Sequence, residues 1–387
     1  MKAKTIKGQS VDQLKAELEQ TTSDGFRPTL ALVFLSIRQN REEICRLLDA
    51  MGIRIFGATT AGEFIDGDVA EGSVVIMLLD LDDRYFRIVF ENIGENDLKS
   101  LARQIGLAGK QTFANPAFLV SYSGLYTDGE QIVRGIEDTA GEATAIFGGM
   151  AGDDMTWSGP CVFTNDSASD KAIVAAIIDA DKISLRGHAT SGWKPVGTER
   201  TITRSEGSVV YTIDDEPALD VVMKFLGVSA ETNTAANEVL TKMGSYFPIL
   251  MQRPNGDPVV RTTMFANFEE RCLKFSGNVP QGSRFRFALP PDFDVVDEVI
   301  EQSKEIKSQQ LPQADALVMF SCVARHLTLG PMVSDEIEGL KKVWGSPLIG
   351  FFSYGEIGKT AYGKHEFHNN TCCLVALKEI DEKPATA

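Results

Sequence analysis

The chain has 387 residues and a formal net charge of −16; 43% of its residues are hydrophobic and 24% are charged. This composition is typical of a folded globular protein of two or three domains. The basic residues form no cluster larger than a short pair such as Lys341-Lys342. Because a protein that binds phosphate backbones needs a basic face, we do not expect nucleic acid as a partner.

The cysteines and the N-terminus indicate the compartment. The six cysteines show no C-x-x-C pair and no regular spacing, which indicates reduced thiols rather than a disulfide framework. The first twenty residues lack the apolar core of a signal peptide and predict a helix, and the longest apolar runs are too short to span a bilayer. We therefore expect a cytoplasmic protein without membrane insertion.

A pattern of strand, helix, strand, turn and strand occurs three times along the chain. The copies start with ALVFLS (31–36), AFLVSYSG (117–124) and ALVMFSCVARH (316–326). In each copy the first two strands are continuous apolar runs, which are typical of buried parallel strands joined by a right-handed helical crossover. An internal repeat of this kind predicts the fold more strongly than any single element does.

Each copy also contains a glycine-rich turn after its second strand. Gly57 is followed by Gly62-Glu63 and Gly350 by Gly355-Glu356, and a weaker echo at 146–153 has Asp153 in the acidic place. Such a turn can line a pocket with backbone amides while Glu63 or Glu356 supplies a charge, or it can simply end the strand. No Lys-Ser/Thr follows the glycines, so the turn is not a phosphate-binding loop.

The region between the second and third copies has a different character. Residues 183–290 contain short alternating runs and the turn-rich sequence PNGDP (254–258), which predict antiparallel strands, and residues 291–310 predict a helix. The predicted fold class is therefore α/β (mixed α+β), with repeated strand-helix-strand units in layered sheets and an antiparallel β region in the middle of the chain.

The strand end FSCVARH (320–326) is the strongest candidate for a binding site, because open α/β sheets bind ligands where parallel strands end. It brings together Ser321, Cys322, Arg325 and His326. Arg325 can clamp a carboxylate or pair with an acid such as Glu356, and both interpretations stay open. A nucleophilic Cys322 would need an oriented base, which sequence adjacency to His326 does not supply.

A second polar strand end is SYSGLYTDGE (121–130) in the second copy. Its Tyr122 and Tyr126 hydroxyls can contribute to a pocket between copies. We favour the structural interpretation, in which the stretch is a polar loop that ends in a helix N-cap at Asp128.

Several segments resemble the FIST family. IFGATTAGEF (55–64), GHATSGWKPVG (187–197) and TITRSEGSVVYTIDDEPALDVV (201–222) resemble the N-terminal FIST domain. Four further segments resemble the C-terminal FIST domain: GNVPQGSRFRFAL (277–289), FSCVARH (320–326), LIGFFSYGEIG (348–358) and FHNNTCCLVAL (367–377). We place the two domains at 1–225 and 226–380, followed by a disordered tail at 381–387.

The resemblance implies a sensory protein. FIST domains are regarded as intracellular ligand-sensing domains, often fused to or encoded beside histidine kinases, cyclic-di-GMP enzymes or chemotaxis receptors. In length and layout the chain also resembles the nitric-oxide-sensing bacterial FIST proteins, which bind haem and regulate a partner histidine kinase. We therefore expect a small-ligand sensor with haem b as its cofactor and a sensor histidine kinase as its partner; a homodimer is compatible with the sequence.

The haem hypothesis needs an axial ligand, commonly histidine. His326 and His188 are the candidates, with Trp193 available to cover a flat ligand; His365 and His368 flank an expected strand on opposite faces, which argues against a shared metal site. The expected ligand-binding residues are Ser321, Cys322, Arg325, Tyr354, Glu356 and Trp193.

Two other functions are weighed against a haem sensor. The first is a sensor of an amino acid or similar carboxylate, held by Arg325 and nearby amides. The second is a hydrolase that uses Cys322, or Glu63 and Glu356 as acid and base; only residue types support it, so we rank it last and expect no enzyme.

Overall fold

A computed structural model describes residues 1–94, 97–125, 127–228, 243–254, 256–292, 294–361 and 363–380 of the chain. Within these ranges the three copies seen in the sequence are three equivalent structural units, which we call copies 1, 2 and 3. An antiparallel sheet, the inserted sheet, interrupts copy 3 after its first strand.

The elements follow in chain order. Copy 1 contains β1 (Ala3–Gly8), α1 (Val11–Thr22), β2 (Leu30–Leu35), α2 (Arg41–Asp49), β3 (Arg54–Thr59), β4 (Glu63–Ile65), β5 (Asp68–Ala70) and β6 (Val74–Leu79). A 3-10 turn (Asp83–Tyr85) leads to copy 2, which contains β7 (Phe86–Asn92), α3 (Leu98–Thr112), β8 (Pro116–Tyr122), α4 (Gly129–Ala140), β9 (Ile146–Met150), β10 (Val162–Phe163), β11 (Ala168–Ser169) and β12 (Ala172–Asp179).

Copy 3 begins with β13 (Ile183–Thr190) and is then interrupted. The inserted sheet contains β14 (Lys194–Glu206), β15 (Val209–Ile213), β16 (Glu216–Pro217), α5 (Ala218–Leu226), β17 (Ile249–Met251), β18 (Val259–Arg261), β19 (Thr263–Asn267), β20 (Cys272–Phe275) and β21 (Arg284–Leu289). Copy 3 resumes with α6 (Val295–Gln309), β22 (Ala316–Cys322), α7 (Val323–Leu329), α8 (Met332–Trp344), β23 (Leu348–Ser353), β24 (Glu356–Lys359), β25 (His365–His368) and β26 (Cys372–Glu379).

The predicted parallel pairs are confirmed: β2 pairs with β3, β8 with β9 and β22 with β23, each in parallel. The last strand of each copy lies antiparallel on the other side of the first strand of the pair. Side-chain caps help to start the helices, since Ser10, Asn40, Asp97 and Asp128 accept hydrogen bonds from backbone N–H groups two or three residues ahead. The mixed α/β fold with an antiparallel region is therefore confirmed.

One prediction for the N-terminus is wrong. Residues Ala3–Gly8 form the strand β1, which pairs with β6 along its whole length, and the helix begins only at Val11. The side chains of β1 are mostly half-buried because it is the edge strand of its sheet. A short edge strand carries little of the apolar signal that marks the buried strands.

The short hairpin that follows each glycine-rich turn joins the sheet of another copy. The hairpin β4–β5 of copy 1 extends the sheet of copy 3 by pairing with β23. The hairpin β24–β25 of copy 3 pairs with β9 of copy 2, and β10–β11 of copy 2 pairs with β3 of copy 1. The three copies therefore exchange hairpins in a closed cycle, and each forms a sheet of six strands.

The first glycine of the turn makes this exchange possible. A Cβ atom on Gly57 would lie 2.2 Å from the ring of Phe163, and one on Gly350 would lie 2.2 Å from the ring of Phe64. Both rings belong to exchanged hairpins, so these glycines provide room for a neighbouring copy's strand. This packing explains why the same glycine recurs.

The core lies where the three sheets face one another. Phe34 of copy 1 meets Phe351 and Phe320 of copy 3 at ring-centroid distances of 4.7 and 6.4 Å, and Phe147 of copy 2 belongs to the same cluster. The helices cover the outer faces, α1 and α2 on copy 1, α3 and α4 on copy 2, and α6 and α8 on copy 3. The parallel strands of all three copies therefore end around one centre.

Candidate functional site

Three equivalent strand ends surround this centre and are tied together by backbone hydrogen bonds. In each copy, a backbone N–H group just after the second parallel strand donates a hydrogen bond to a carbonyl of another copy. These hydrogen bonds run from Ala61 to Phe352 (3.0 Å), from Tyr354 to Met150 (3.2 Å) and from Gly152 to Thr59 (2.9 Å). Ligands of α/β sheets bind at such edges, so each of the three edges is a candidate site.

The glutamates of two turns are fully buried. Glu63 accepts hydrogen bonds from the Thr60 hydroxyl and from the backbone N–H and hydroxyl of Ser73. Glu356 accepts a hydrogen bond from the Ser353 hydroxyl at 2.6 Å, and its second oxygen has no partner among the described residues. Both glutamates hold their own turns together.

The proposed third acidic turn is different. In the paired strands, Glu63 lies opposite Phe351 and Glu356 lies opposite Gly149. The equivalent position of copy 2, opposite Ala58, is occupied by Val162. Asp153 instead begins an insertion, residues 153–160, that copies 1 and 3 do not have. The prediction that Asp153 is equivalent to the two glutamates is therefore wrong, because the similar sequence of copy 2 is followed by a longer loop.

Burial of Glu63 predicts a pH-dependent stability. Burial raises the pKa of Glu63 from 4.5 to about 7, against the effect of its hydrogen bonds. The folded state binds this proton more tightly than the unfolded state does. The protonated carboxyl therefore contributes its full stabilisation below pH 4.5, and roughly 3 kcal/mol of that stabilisation is lost as pH rises to 7. Relative to wild type, Glu63→Gln should be more stable at pH 8 than at pH 5 by up to ~3 kcal/mol in urea unfolding. An equal difference at both pH values would contradict this assignment.

The edge of copy 3, our leading sequence candidate, is filled. The helix α7 follows β22 directly, and Ser321 and Cys322 are buried beneath it. Burial, followed by the nearby Glu356 carboxyl, raises the pKa of the Cys322 thiol. Burial also raises the pKa of Glu356 well above its ordinary value. A neutral thiol beside a protonated carboxyl is a poor nucleophile.

Arg325 is fully buried and engaged within the protein. Its guanidinium forms a two-pronged ion pair with the buried Glu336 of α8 and donates to the carbonyl of Ser191. The guanidinium lies 6.0 Å from the ring centroid of Trp193, whose indole N–H donates to the carbonyl of Tyr246. The structure therefore brings Arg325 and Trp193 together, and the acid that pairs with Arg325 is Glu336 rather than Glu356.

The two histidines were tested for a fit to haem. His188 is 3% exposed beneath α6, and among the described residues its ring nitrogens approach the backbone of Val299 without a hydrogen bond of good geometry. Burial lowers the pKa of His188 to about 4, so a neutral donor nitrogen is present. His326 is half-buried and stacks on Phe352 at 4.0 Å. Neither side chain lines any of the clefts described here, so the donor chemistry fits haem but the space does not.

The edge of copy 2 opens into a cleft, which we call the copy-2 cleft. Its walls come from the loop after β8, the end of β9, the turn of copy 3 and the inserted sheet. The lining residues are Leu125, Thr127, Asp128, Met150, Trp157, Ser208, Met264, Lys274, Phe275, Ser276, Gly277 and Tyr354. About 60 Å³ is open to water, inside an envelope of about 530 Å³ that includes the mouth.

An aromatic pair stands at this cleft. Trp157 stacks on Tyr354 with ring centroids 4.7 Å apart, and Trp157 is 44% exposed. Asp153 fixes the pair: it accepts the Tyr354 hydroxyl hydrogen and the backbone N–H groups of Trp157, Ser158 and Gly159. Burial, followed by the hydrogen bond to Asp153, raises the pKa of Tyr354.

The loop that carries Trp157 is strained. Asp154, Met155 and Trp157 have φ angles of 53°, 58° and 54°, in the left-handed region that non-glycine residues seldom occupy. Strain of this kind persists only where surrounding contacts hold it, and it is common at binding sites. The hydrogen bonds to Asp153 therefore hold the loop in a backbone conformation that its own residues seldom adopt.

Opposite charges line the two walls of the copy-2 cleft. Asp128 caps α4 by accepting the N–H of Glu130 at 3.1 Å, and burial raises the pKa of its carboxyl. Lys274 comes from β20 of the inserted sheet. The cap predicted at Asp128 is thus present and also lines the cleft; Tyr126 lies outside the described residues.

Of the predicted site residues, Tyr354 lies in the copy-2 cleft, while Ser321, Cys322, Arg325 and Glu356 lie in the filled edge of copy 3. Trp193 lines another cleft, between the end of β13 and α6. Sequence reasoning missed Trp157, because no motif lies beside it. Its positive φ could not be predicted either, since tryptophan is not a residue that indicates such a turn.

Two further observations concern metal ions and membranes. Within the described ranges, no group of three or more His, Cys, Asp or Glu side chains could hold a metal ion. No helix there combines the length and the apolarity needed to cross a membrane.

Comparison with known proteins gives the class. The FIST N domain matches residues 29–216 and the FIST C domain matches residues 218–359. An uncharacterized protein of Methanocaldococcus jannaschii is 22% identical over 399 aligned positions, covering 91% of this chain and 74% of the relative. Uncharacterized proteins of Mycobacterium bovis and Mycobacterium tuberculosis are each 22% identical over 237 residues, and the match spans about 60% of their length.

The chain belongs to the FIST family, with a FIST N domain followed by a FIST C domain, and such domains are sensors of small ligands in signal transduction. The copy-2 cleft is lined by residues from both matched segments.

Proposed function

We propose that this protein is a sensor whose small ligand binds in the copy-2 cleft and whose occupied state regulates a partner histidine kinase. The observation that carries the proposal is the strained, aromatic-lined cleft at the carboxyl edge of β8 and β9. A sensor needs two conformations that differ in ligand affinity. The narrow open space requires Trp157 to move when a ligand enters, and this movement supplies the second conformation.

The proposed ligand is an amino acid or a similar small zwitterion. Asp128 suits an ammonium group and Lys274 a carboxylate, while Trp157, Tyr354 and Phe275 provide apolar surface for a side chain. This ligand class keeps the carboxylate alternative from the sequence but moves it from Arg325, which is engaged with Glu336, to the copy-2 cleft.

The test is a thermal-shift screen of the twenty amino acids, followed by calorimetry. A bound ligand raises the melting temperature of the wild type. Asp128→Asn should lose this shift while still folding, because Asn is an equally good N-cap. Asp12→Asn, an exposed change of equal charge on α1, is the matched control and should keep the shift. A shift of equal size in Asp128→Asn would refute this site.

The kinase step has its own measurement. Autophosphorylation of a candidate partner histidine kinase should change when ligand-loaded protein is added, and Trp157→Ala should uncouple loading from the change. Kinase activity that is equal with loaded, unloaded and absent protein would contradict the regulatory role.

Haem with nitric oxide as its gas ligand, which the family resemblance implies, is a second candidate ligand, and it would be held at His188 rather than in the copy-2 cleft. The His188 ring nitrogens, which lack a hydrogen bond of good geometry, favour it, although haem binding there requires α6 to move. The visible spectrum of protein purified from cells supplied with a haem precursor tests it. A stoichiometric Soret band lost in His188→Ala but not in His326→Ala would support it; no band with added haem would remove it.

We also propose that the protein binds rather than catalyses. The neutral, buried Cys322 lacks a histidine base in hydrogen-bond contact, and its sulfur lies 3.8 Å from the Asn370 side-chain oxygen. Turnover of reactive ester probes that disappears in Cys322→Ala would contradict this.

A further inference from the structure

The copy-1 edge carries a second pocket that the proposed function does not use. It lies at the carboxyl ends of β2 and β3, the position in copy 1 that the copy-2 cleft occupies in copy 2. About 350 Å³ is open to water between the loop after β2 and the end of the 153–160 insertion. The polar side chains of its lining are Gln39, Asn40, Arg41, Glu42, Thr59 and Cys161.

Arg41 is the charged group in this pocket whose contacts decide its ligand. Its side chain is 32% exposed, and its guanidinium donates to the sulfur of Cys161 at 3.3 Å. Sulfur is a weak acceptor. Among the described residues its nearest carboxylate is that of Glu42, 3.8 Å away and 75% exposed. Glu42 also lines the pocket, from an exposed position, so the guanidinium has an exposed carboxylate near it but no buried acid.

The uncharged side chains Gln39, Asn40 and Thr59 of the pocket are already occupied. The Asn40 side chain caps α2 through the N–H of Glu43, and the Gln39 amide donates to the carbonyl of Gly72 at 2.7 Å. Thr59 donates to the carbonyl of Gly152 and accepts the N–H of Cys161. Arg41 is therefore the group of the pocket that can donate hydrogen bonds to an incoming ligand.

The equivalent edges of the other copies show what Arg41 lacks. In copy 3 the strand-end arginine, Arg325, is sealed by the buried carboxylate of Glu336. In copy 2 the strand end presents the carboxylate of Asp128 instead of an arginine. Among the described residues at the three carboxyl edges, only those of copy 1 combine an open volume with an arginine that has no buried acid.

We propose that the copy-1 pocket is a second binding site, which takes a small oxyanion, either a carboxylate or a phosphate, through the Arg41 guanidinium. The planar guanidinium forms paired hydrogen bonds to both kinds of anion. The 153–160 insertion separates this site from the copy-2 cleft: Gly159 lines the pocket and Trp157 lines the cleft. Asp154 of the same loop pairs with Arg38 at 3.3 Å and accepts the Ser36 hydroxyl at 2.6 Å. An anion at Arg41 therefore acts on the loop that holds Trp157.

The experiment titrates the full chain with sodium phosphate and, separately, with sodium acetate, against sodium chloride of equal ionic strength. At least one of the two anions should raise the melting temperature of the wild type above the chloride control. Its apparent Kd should weaken at least tenfold in Arg41→Gln and less in Arg41→Lys, which keeps the charge but loses the fork. The anion that binds distinguishes a phosphate site from a carboxylate site.

The matched control is Arg46→Gln, which removes the same charge from an exposed position of the same helix. It should bind as the wild type does. Equal shifts in Arg41→Gln and Arg46→Gln, or no shift of the wild type with either anion, would overturn the proposal. The amino-acid screen with Asp128→Asn reports on the other cleft, so either site can fail alone.

Discussion

A fragment of residues 1–225 will not fold by itself, although it contains the whole FIST N match. Its hairpin β4–β5 would lose its partner strand β23, its strand β13 would lose all eight pairs with β26, and its strand β9 would lose β24. Each loss exposes apolar strand surface and unpaired backbone groups that are buried in the full chain. The expected result is a fragment without a cooperative thermal transition by circular dichroism.

The complementary fragment is the control for this result. Residues 226–387 expressed alone should also lack a cooperative transition, and co-expression of the two fragments should restore one, because the pairing surfaces are intact. A fragment of residues 1–225 that melts cooperatively as a monomer would show that the hairpin exchange is not needed for stability. The two FIST matches are thus expected to form one folding unit.

Removal of Arg325 has the second-largest expected effect. Arg325→Met leaves the buried carboxylate of Glu336 without its cation, and breaking one side of a buried ion pair costs about 3–5 kcal/mol in the free energy of unfolding. Both side chains are 0% exposed, so the ion pair is fully buried. Urea unfolding at pH 7 measures the loss.

The double variant Arg325→Met/Glu336→Leu separates the pair from its surroundings. Replacing both charges by apolar groups of similar size removes the unpaired charge, so the double variant should be more stable than either single one. If Arg325 instead served as a ligand clamp, Arg325→Met would abolish ligand binding while leaving the free energy of unfolding nearly unchanged.

The repeated architecture was predictable from the sequence because buried parallel strands are long apolar runs. ALVFLS and ALVMFSC each mark a strand without ambiguity, and the helices between the strands follow from their spacing. The hairpin exchange was not predictable, because β4 and β5 have three residues each. Their partner β23 lies almost three hundred positions further along the chain, and short strands do not specify a distant partner.

The candidate site was predictable only in part. Tyr354 was found because it lies beside the Gly-Glu turn, and the cap at Asp128 because of its position before a helix. The arginine and histidines were chosen by residue type, and type does not reveal burial. Arg325 meets Glu336 only because α7 and α8 fold back on each other after Gly330, whose φ of 54° allows the turn.

The cycle of hairpins resembles, within one chain, a ring of three subunits held by head-to-tail contacts. Such contacts close only when the third partner meets the first; otherwise they continue from molecule to molecule. A variant that frees β24–β25 from β9 therefore presents both a donor hairpin and an open acceptor strand on each molecule. Its characteristic failure is a linear polymer of correctly paired hairpins, domain-swapped from chain to chain, rather than amorphous aggregation.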